Sequence, residues 1–417
     1  MKDTAMPKTI FSIALLAALA FVPAGAAAQT NSCLECHKGL EAELQAPAAN
    51  FAQDVHQQAG LTCADCHGGN PALADEDKAK DKTFKGAPKR AQIPELCASC
   101  HGDAAYMRKF NPRLRVDQLS QYQTSQHGKL LKKGDVKVAV CTDCHGVHGI
   151  QTAKFPKSPT FPWNVPQTCG RCHADAEYMK AYGIPTDQAA QYKESVHAEA
   201  LFEKKDMSAP VCNSCHGNHG AFPPEVESIG SVCRQCHPST GDLFAKSPHK
   251  KAFDELGQSE CEACHGNHRI VRPTTAMLGT DDKAVCVPCH DKGSKGYQAA
   301  AELKTLIDGF EVRIEKERST LDLAEKKGVE TSDAAFKLLD VNTVLVSAKN
   351  LVHGLAVDEI RKKLAEGDQT LNDVEKAGAA ALDEARFRRR GLIIATVLLA
   401  LFGIALFLKI RSMHKPA

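Results

Sequence analysis

Residues 97–110 read CASCHGDAAYMRKF, residues 169–182 read CGRCHADAEYMKAY, and each copy opens a longer repeat. The first is followed by a Tyr-x-x-Ser-x-His segment ending at His127 and by CTDCHGVHGI at 141–150; the second by the same segment ending at His197 and by CNSCHGNHGA at 212–221. The element common to all of these is Cys-x-x-Cys-His. It occurs nine times, ending at His37, His67, His101, His145, His173, His216, His237, His265 and His290, and the nine copies use all eighteen cysteines.

The spacing has a chemical reason. Two cysteines three apart lie on one short helical turn, where their thiols reach the two vinyl groups of a single porphyrin, and the histidine that follows points at the iron. Zinc knuckles are a poorer account, because zinc needs four ligands per site and has no use for a fixed histidine after every pair. A disulfide framework predicts neither the strict spacing nor the invariant following residue. The expectation is nine covalently bound haem c groups. Their thioethers would come from Cys33 and Cys36, Cys63 and Cys66, Cys97 and Cys100, Cys141 and Cys144, Cys169 and Cys172, Cys212 and Cys215, Cys233 and Cys236, Cys261 and Cys264, and Cys286 and Cys289, with the motif histidines as proximal ligands.

The repeats group into two-haem modules at about 33–70, 97–150, 169–221 and 233–270, with a terminal haem at 286–290. Such a period implies an extended array of similar units. Each complete module carries two further histidines. One lies in the Ser-x-His segment (His127, His197, His249, with His56 as a variant), the other three residues past the second motif (His148, His219, His268). Imidazole is the natural sixth ligand of a low-spin electron-transfer haem, so these seven are expected to be distal ligands, and His353, alone at the end of a helix, is expected to serve the haem at His290. Excluding His414 beyond the apolar C-terminal run, eight distal candidates face nine irons. The first module lacks the extra histidine after its second motif, reading His67-Gly68-Gly69-Asn70, and the missing ligand is expected there. Met107, Met179, Met207 and Met277 are the methionines available in this region, and the first two occupy matching Tyr-Met positions where they would pack on porphyrin.

Residues 1–28 run from Lys2 and Lys8 through an apolar stretch to Ala26-Ala27-Ala28 and read as a secretory signal peptide. Export agrees with haem attachment outside the inner membrane. A second apolar run at 391–408, GLIIATVLLALFGIALFL, is uncharged and just long enough to cross a bilayer as a helix, leaving 409–417 as a cytoplasmic tail. The basic residues on its two sides do not settle orientation; the haems place the main domain outside. Lys and Arg total 52 against 50 Asp and Glu, a balance that gives no support to nucleic-acid binding. The lysine-rich stretch 77–90 reads as a solvated linker, with docking of an acidic redox partner as the functional alternative.

Pro and Gly clusters such as 155–166 break the chain between motifs and argue for loops and short helices without strands. The expected fold is mostly α with extensive loops, a haem array at 29–292 organised by porphyrin packing. Its aromatic content is low, at 6%, so the apolar porphyrin faces must supply much of the buried surface, and without haem this region should be largely unfolded. Beyond it, 295–388 reads as a helical hairpin or stalk. A first helix from about Tyr297 would bury Leu303, Leu306, Ile307, Phe310, Ile314 and Leu321; a second from about Ser332 to His353 would bury Phe336, Leu339, Val344, Leu345, Ala348 and Leu351.

The paired motifs with Tyr-x-x-Ser-x-His between them resemble the large bacterial group of multihaem cytochromes c with doubled C-x-x-C-H units. The resemblance spans Cys33 to His290 and implies closely stacked, mostly bis-histidine haems forming an electron wire. It also implies a place beside membrane quinol-oxidising cytochromes. The expected role is a single-pass inner-membrane protein with its haem domain in the periplasm. It would relay electrons between a membrane quinone-linked cytochrome or iron–sulfur subunit and periplasmic or outer-membrane carriers, with no catalytic residues of its own. The tetrahaem quinol dehydrogenases have an N-terminal anchor, unlike the C-terminal apolar run here, which counts against direct quinol oxidation. The second reading is a reductase or oxidase of nitrite, hydroxylamine or tetrathionate at one open haem. It is disfavoured because all nine motifs end in histidine and none in lysine.

Overall fold

The computed structural model describes residues 31–223 and 226–413, so the expected signal peptide lies outside the described residues. Among the described residues there are helices and loops and no strand, in agreement with the expected class. The chain divides into two units: one holds residues up to 116 together with 139–152, the other holds 117–138 together with 153 onward. This division falls inside the stretch read as one haem array, and it parts the second module at residue 138. The first and last motifs of that module go to one unit and its Ser-x-His segment to the other.

The motifs sit on two kinds of helix. The opening motif of the second and third modules ends a nine-residue helix, Ile93–His101 or Val165–His173, that starts with proline in its first turn. There the missing proline N–H costs no helix hydrogen bond. The closing motif of the first three modules is a five-residue helix of its own, at Cys63–His67, Cys141–His145 and Cys212–His216. Each of these three stops at a glycine with positive φ: 70° at Gly68, 81° at Gly146, 76° at Gly217. That backbone conformation is one few other residues adopt, and it turns the chain straight after the proximal histidine. At Gly68 a β-carbon would also come within 2.0 Å of the Thr83 carbonyl oxygen.

Within the second unit lie three long helices, α1 (Lys295–Glu325), α2 (Ser332–Leu351) and α3 (Val357–Met413). The buried positions of α1 run Ala300, Leu303, Ile307, Phe310, Ile314, Glu317, Leu321, Ala324, and those of α3 run Ile360, Leu364, Gly367, Leu371, Val374, Gly378, Ala381, Ala385. Both alternate steps of three and four, the seam of a left-handed coiled coil. Gly367 lets α3 approach closely, since a β-carbon there would stand 3.0 Å from the Phe310 ring. Arg313 ties α1 to α3 through Asp368 at 2.7 Å, Glu375 at 2.9 Å and Asn372 at 2.8 Å.

The stalk is therefore a three-helix bundle, where the sequence led to a helical hairpin with a third, charged segment at 357–390 leading into the span; that segment is a helix packed on the other two, and it continues without a break into the apolar run. On α2 the buried side chains are Ala334, Leu338, Val341, Leu345 and Ala348, while Phe336 and Leu339 are 67% and 64% exposed, against expectation. Apolar residues surround α2, so its period alone did not single out a face; the seams of α1 and α3 do. Among the described residues α3 is the one helix long and apolar enough to cross a membrane, and none of its apolar window is buried.

Candidate functional site

The Ser-x-His segments are N-caps. Ser125 and Ser195, both buried, accept the backbone N–H of Gly128 at 2.9 Å and of Ala198 at 3.1 Å, and each donates its hydroxyl to the carbonyl of the tyrosine three residues earlier. The cap fixes the direction of the histidine two residues on. In the first module Asp54 takes this role. Its Oδ1 lies 2.8 Å from both the backbone nitrogen and Nδ1 of His56, and its Oδ2 accepts from the backbone of Gly149 at 2.7 Å and of Ile150 at 2.8 Å. The sequence reading missed this aspartate, although its place two residues before His56 matches that of the serines.

Three equivalent backbone bonds then dock each such segment onto the module that follows. Val55 N–H donates to Ile150 O at 2.9 Å, Gln126 N–H to Ala221 O at 3.1 Å, and Val196 N–H to Ile270 O at 2.8 Å. In every case the acceptor lies two residues past the extra histidine of the next module.

This docking brings histidines together across module boundaries. His56 faces His101 with ring centroids 5.9 Å apart, His127 faces His173 at 6.2 Å, and His249 faces His290 at 5.7 Å. His197 lies beside His237, which helps to hold its pKa down. In the opposite direction His148 faces His67 at 6.1 Å and His268 faces His216 at 5.9 Å. His353 faces His265 at 6.1 Å, so it meets the eighth motif, where the expectation was the ninth at His290; His249 occupies that place. His145 and His219 have contacts of their own.

Two imidazoles bound on opposite sides of one iron, each at about 2 Å, stand with their centroids about 6 Å apart. The observed centroid spacings are close to such a donor set, and the pair His249 and His290, whose Nε2 atoms lie 3.4 Å apart, would have to open by about half an ångström to admit an iron. The ring planes fall into two groups. The Ser-x-His type pairs are crossed, at 83° (His56 with His101), 61° (His127 with His173) and 67° (His249 with His290). Those made by the histidine after the second motif are nearly parallel, at 27° (His148 with His67) and 12° (His268 with His216), and His353 joins this group at 24°.

Burial lowers the pKa of His148, His173, His197, His249, His265 and His268, and the neighbouring histidine of each lowers it further. Both effects favour the neutral imidazole, which is the form that gives a lone pair to a metal. Among the described residues no group of three or more His, Cys, Asp or Glu converges as a zinc site requires, and none of the eighteen cysteines is in a disulfide.

The sulfurs follow chain order. Cys63 lies near Cys33, Cys66 near Cys100, and Cys97 within hydrogen-bond reach of Cys141. In the second unit Cys212 reaches Cys169, Cys215 lies near Cys233 and Cys236, Cys233 reaches Cys261, and Cys264 lies near Cys286 and Cys289. Around the third module a small core of Val165, Tyr192, Ala198, Leu201, Ala209 and Val211 packs on Cys169 and Cys212. Met107 and Met179 are buried at matching positions after their motifs.

The missing histidine partner expected at the second motif falls, among the described residues, at the first. His67 has a partner in His148, whereas His37 has no histidine ring against it among the described residues; its Nδ1 lies 3.0 Å from the Leu44 carbonyl oxygen.

Repeated attachment motifs on short helices, with imidazoles facing them in pairs, define a protein that carries covalent haem c and transfers electrons. The chain is a multihaem c-type cytochrome. Residues 55–174 match the cytochrome c3 family and residues 255–295 match the doubled CXXCH motif. No curated protein and no solved structure matches the chain.

Proposed function

We propose that the chain binds nine haems and serves as a conductor anchored in the inner membrane by the C-terminal part of α3. Its haem region would lie in the periplasm, passing electrons between a membrane quinone-linked partner and periplasmic or outer-membrane carriers. The observation that carries this reading is the succession of motifs. Within each unit the sulfurs of consecutive motifs are neighbours in chain order, as a wire requires, and the facing imidazoles favour low-spin irons that change charge with little change of ligation. The uncharged exposed run at 391–408 supports the anchor.

The paired histidines also suit conduction better than catalysis, because a catalytic iron needs an open position with acid or base groups around it. Haem quantification on the purified membrane fraction should give nine per chain, and a potentiometric titration should show reversible, predominantly low-spin haems. A large high-spin fraction accompanied by turnover of nitrite, hydroxylamine or tetrathionate would replace the conductor with an enzyme.

A further inference from the structure

We propose that the iron held by His37 keeps its sixth position open to a small exogenous ligand, a neutral diatomic such as carbon monoxide or an anion such as cyanide. This rests on the haem reading above and identifies which iron differs from the others.

The argument comes from the direction of the exchange. The opening motif of each later module receives its second histidine from the Ser-x-His type segment of the module before it: His56 serves His101, His127 serves His173, His197 lies by His237, and His249 serves the terminal motif at His290. Cys33–His37 is the first motif in the sequence, and among the described residues no histidine ring faces His37. The closing motifs at His67 and His216 receive theirs from the module after, from His148 and His268, and His353 of the helical bundle fills the place at His265. Among the described residues no such substitute faces His37. The first module has Gly68-Gly69-Asn70 after His67, where the second and fourth modules carry the histidines that face His67 and His216 of the module before.

The surroundings of His37 are charged. Lys80 pairs with Glu76 at 2.7 Å, Lys80 lies near Cys33 and Cys36, and Glu76 lies near His37. An anion arriving at this iron would be attracted by the one and repelled by the other.

The test is a carbon monoxide titration of the fully reduced holoprotein whose haem content has been measured. One equivalent per chain is expected, with spectral change in about one-ninth of the haem absorbance. Cyanide binding to the oxidised protein at low ionic strength then locates the site. Lys80→Ala should weaken cyanide by about two- to fivefold and Glu76→Gln should strengthen it by a similar factor, with carbon monoxide stoichiometry unchanged in both. Nine haems with no carbon monoxide uptake would overturn the open site and leave the conductor intact. One equivalent with cyanide affinity indifferent to both substitutions would place the open iron elsewhere and overturn the assignment to His37. A haem content well below nine would instead count against the haem reading itself.

Discussion

Replacing His353 tests how the helical bundle closes the haem array. The residue sits in the turn Val352–Gly354 that follows α2, with Nδ1 2.9 Å from the Asn350 carbonyl oxygen. When Nδ1–H donates to that carbonyl, the lone pair is on Nε2, available to a metal on the other side of the ring. The ring lies 6.1 Å from that of His265 at 24°, and Thr240 Oγ1 donates to Asn350 Oδ1 at 2.8 Å, so the turn is held against the fourth module by a contact independent of any iron. His353→Ala should therefore leave the turn in place and take one ligand from one iron. With nine motifs in the chain, about 11% of the haem should pass from low to high spin. His353→Met keeps a sixth ligand but raises the potential of that haem. Axial ligands span roughly 0.8 V among haem proteins, so one exchange is worth on the order of 0.1 V, about fiftyfold in a one-electron equilibrium at 59 mV per decade. The assay is electron paramagnetic resonance of the oxidised holoprotein with a parallel potentiometric titration. Crossed imidazoles give strongly anisotropic low-spin signals and near-parallel ones give rhombic signals. The alanine variant should lose intensity from the rhombic set alone. A full low-spin complement in the variant, or loss from the anisotropic set, would refute the pairing of His353 with His265.

Four further outcomes are expected. His56→Ala should reduce the anisotropic set and His148→Ala the rhombic set, each by one haem, because their partners His101 and His67 belong to the neighbouring module; the same spectra report it. Ile307→Ala, at a fully buried site of the α1 seam, should destabilise the bundle by about 2–5 kcal/mol in thermal or denaturant unfolding followed by circular dichroism. Burial and the hydrogen bond to Asp135 push Tyr182 up to about 12, so the folded state holds its phenolic proton while the unfolded chain loses its own near pH 10. Its contribution is whole below pH 10 and is lost as pH rises toward 12, and Tyr182→Phe should flatten that part of the stability profile. Chain made without haem attachment should keep helical signal from the bundle and lose ordered structure over the motif region, since without porphyrin faces that region buries few apolar side chains and its docking hydrogen bonds alone do not offset the entropy of ordering it; protease mapping would show cleavage confined to residues before α1.

The motifs, the helical class and the bundle's first seam were legible because each depends on residues close in sequence. Five residues specify a haem attachment, and a step of three or four specifies a buried stripe. The partner of each distal histidine was not legible, because the contact is made with the adjacent module through bonds such as Gln126 to Ala221, whose residue types carry no signature. His353 shows the same limit. It was recognised as a ligand candidate, but nearness in sequence suggested His290, and the fold gives that place to His249. Phe336 and Leu339 failed for another reason: a helix apolar on several sides does not declare its buried face until its neighbours are known.

The exchange of histidines makes the modules inseparable in a way that ordinary repeats are not. In a solenoid each repeat packs on its neighbours through an apolar surface, so stability is close to a sum of repeat and interface terms. Here histidines of one module face the motif histidines of the next. His56 of the first module faces His101 of the second while His148 of the second faces His67 of the first, so each of the two pairs draws one residue from either module. The aspartate at position 54 adds a direct link, binding His56 on one side and the backbone of Gly149 and Ile150 on the other. Removing the second module would take away the histidines that face His67 on one side and His173 on the other. An array built this way has ends that cannot be like its middle. One end is completed by a histidine borrowed from a helix that runs on into the apolar span, and the other, at His37, is where a ligand from outside the chain has room to act.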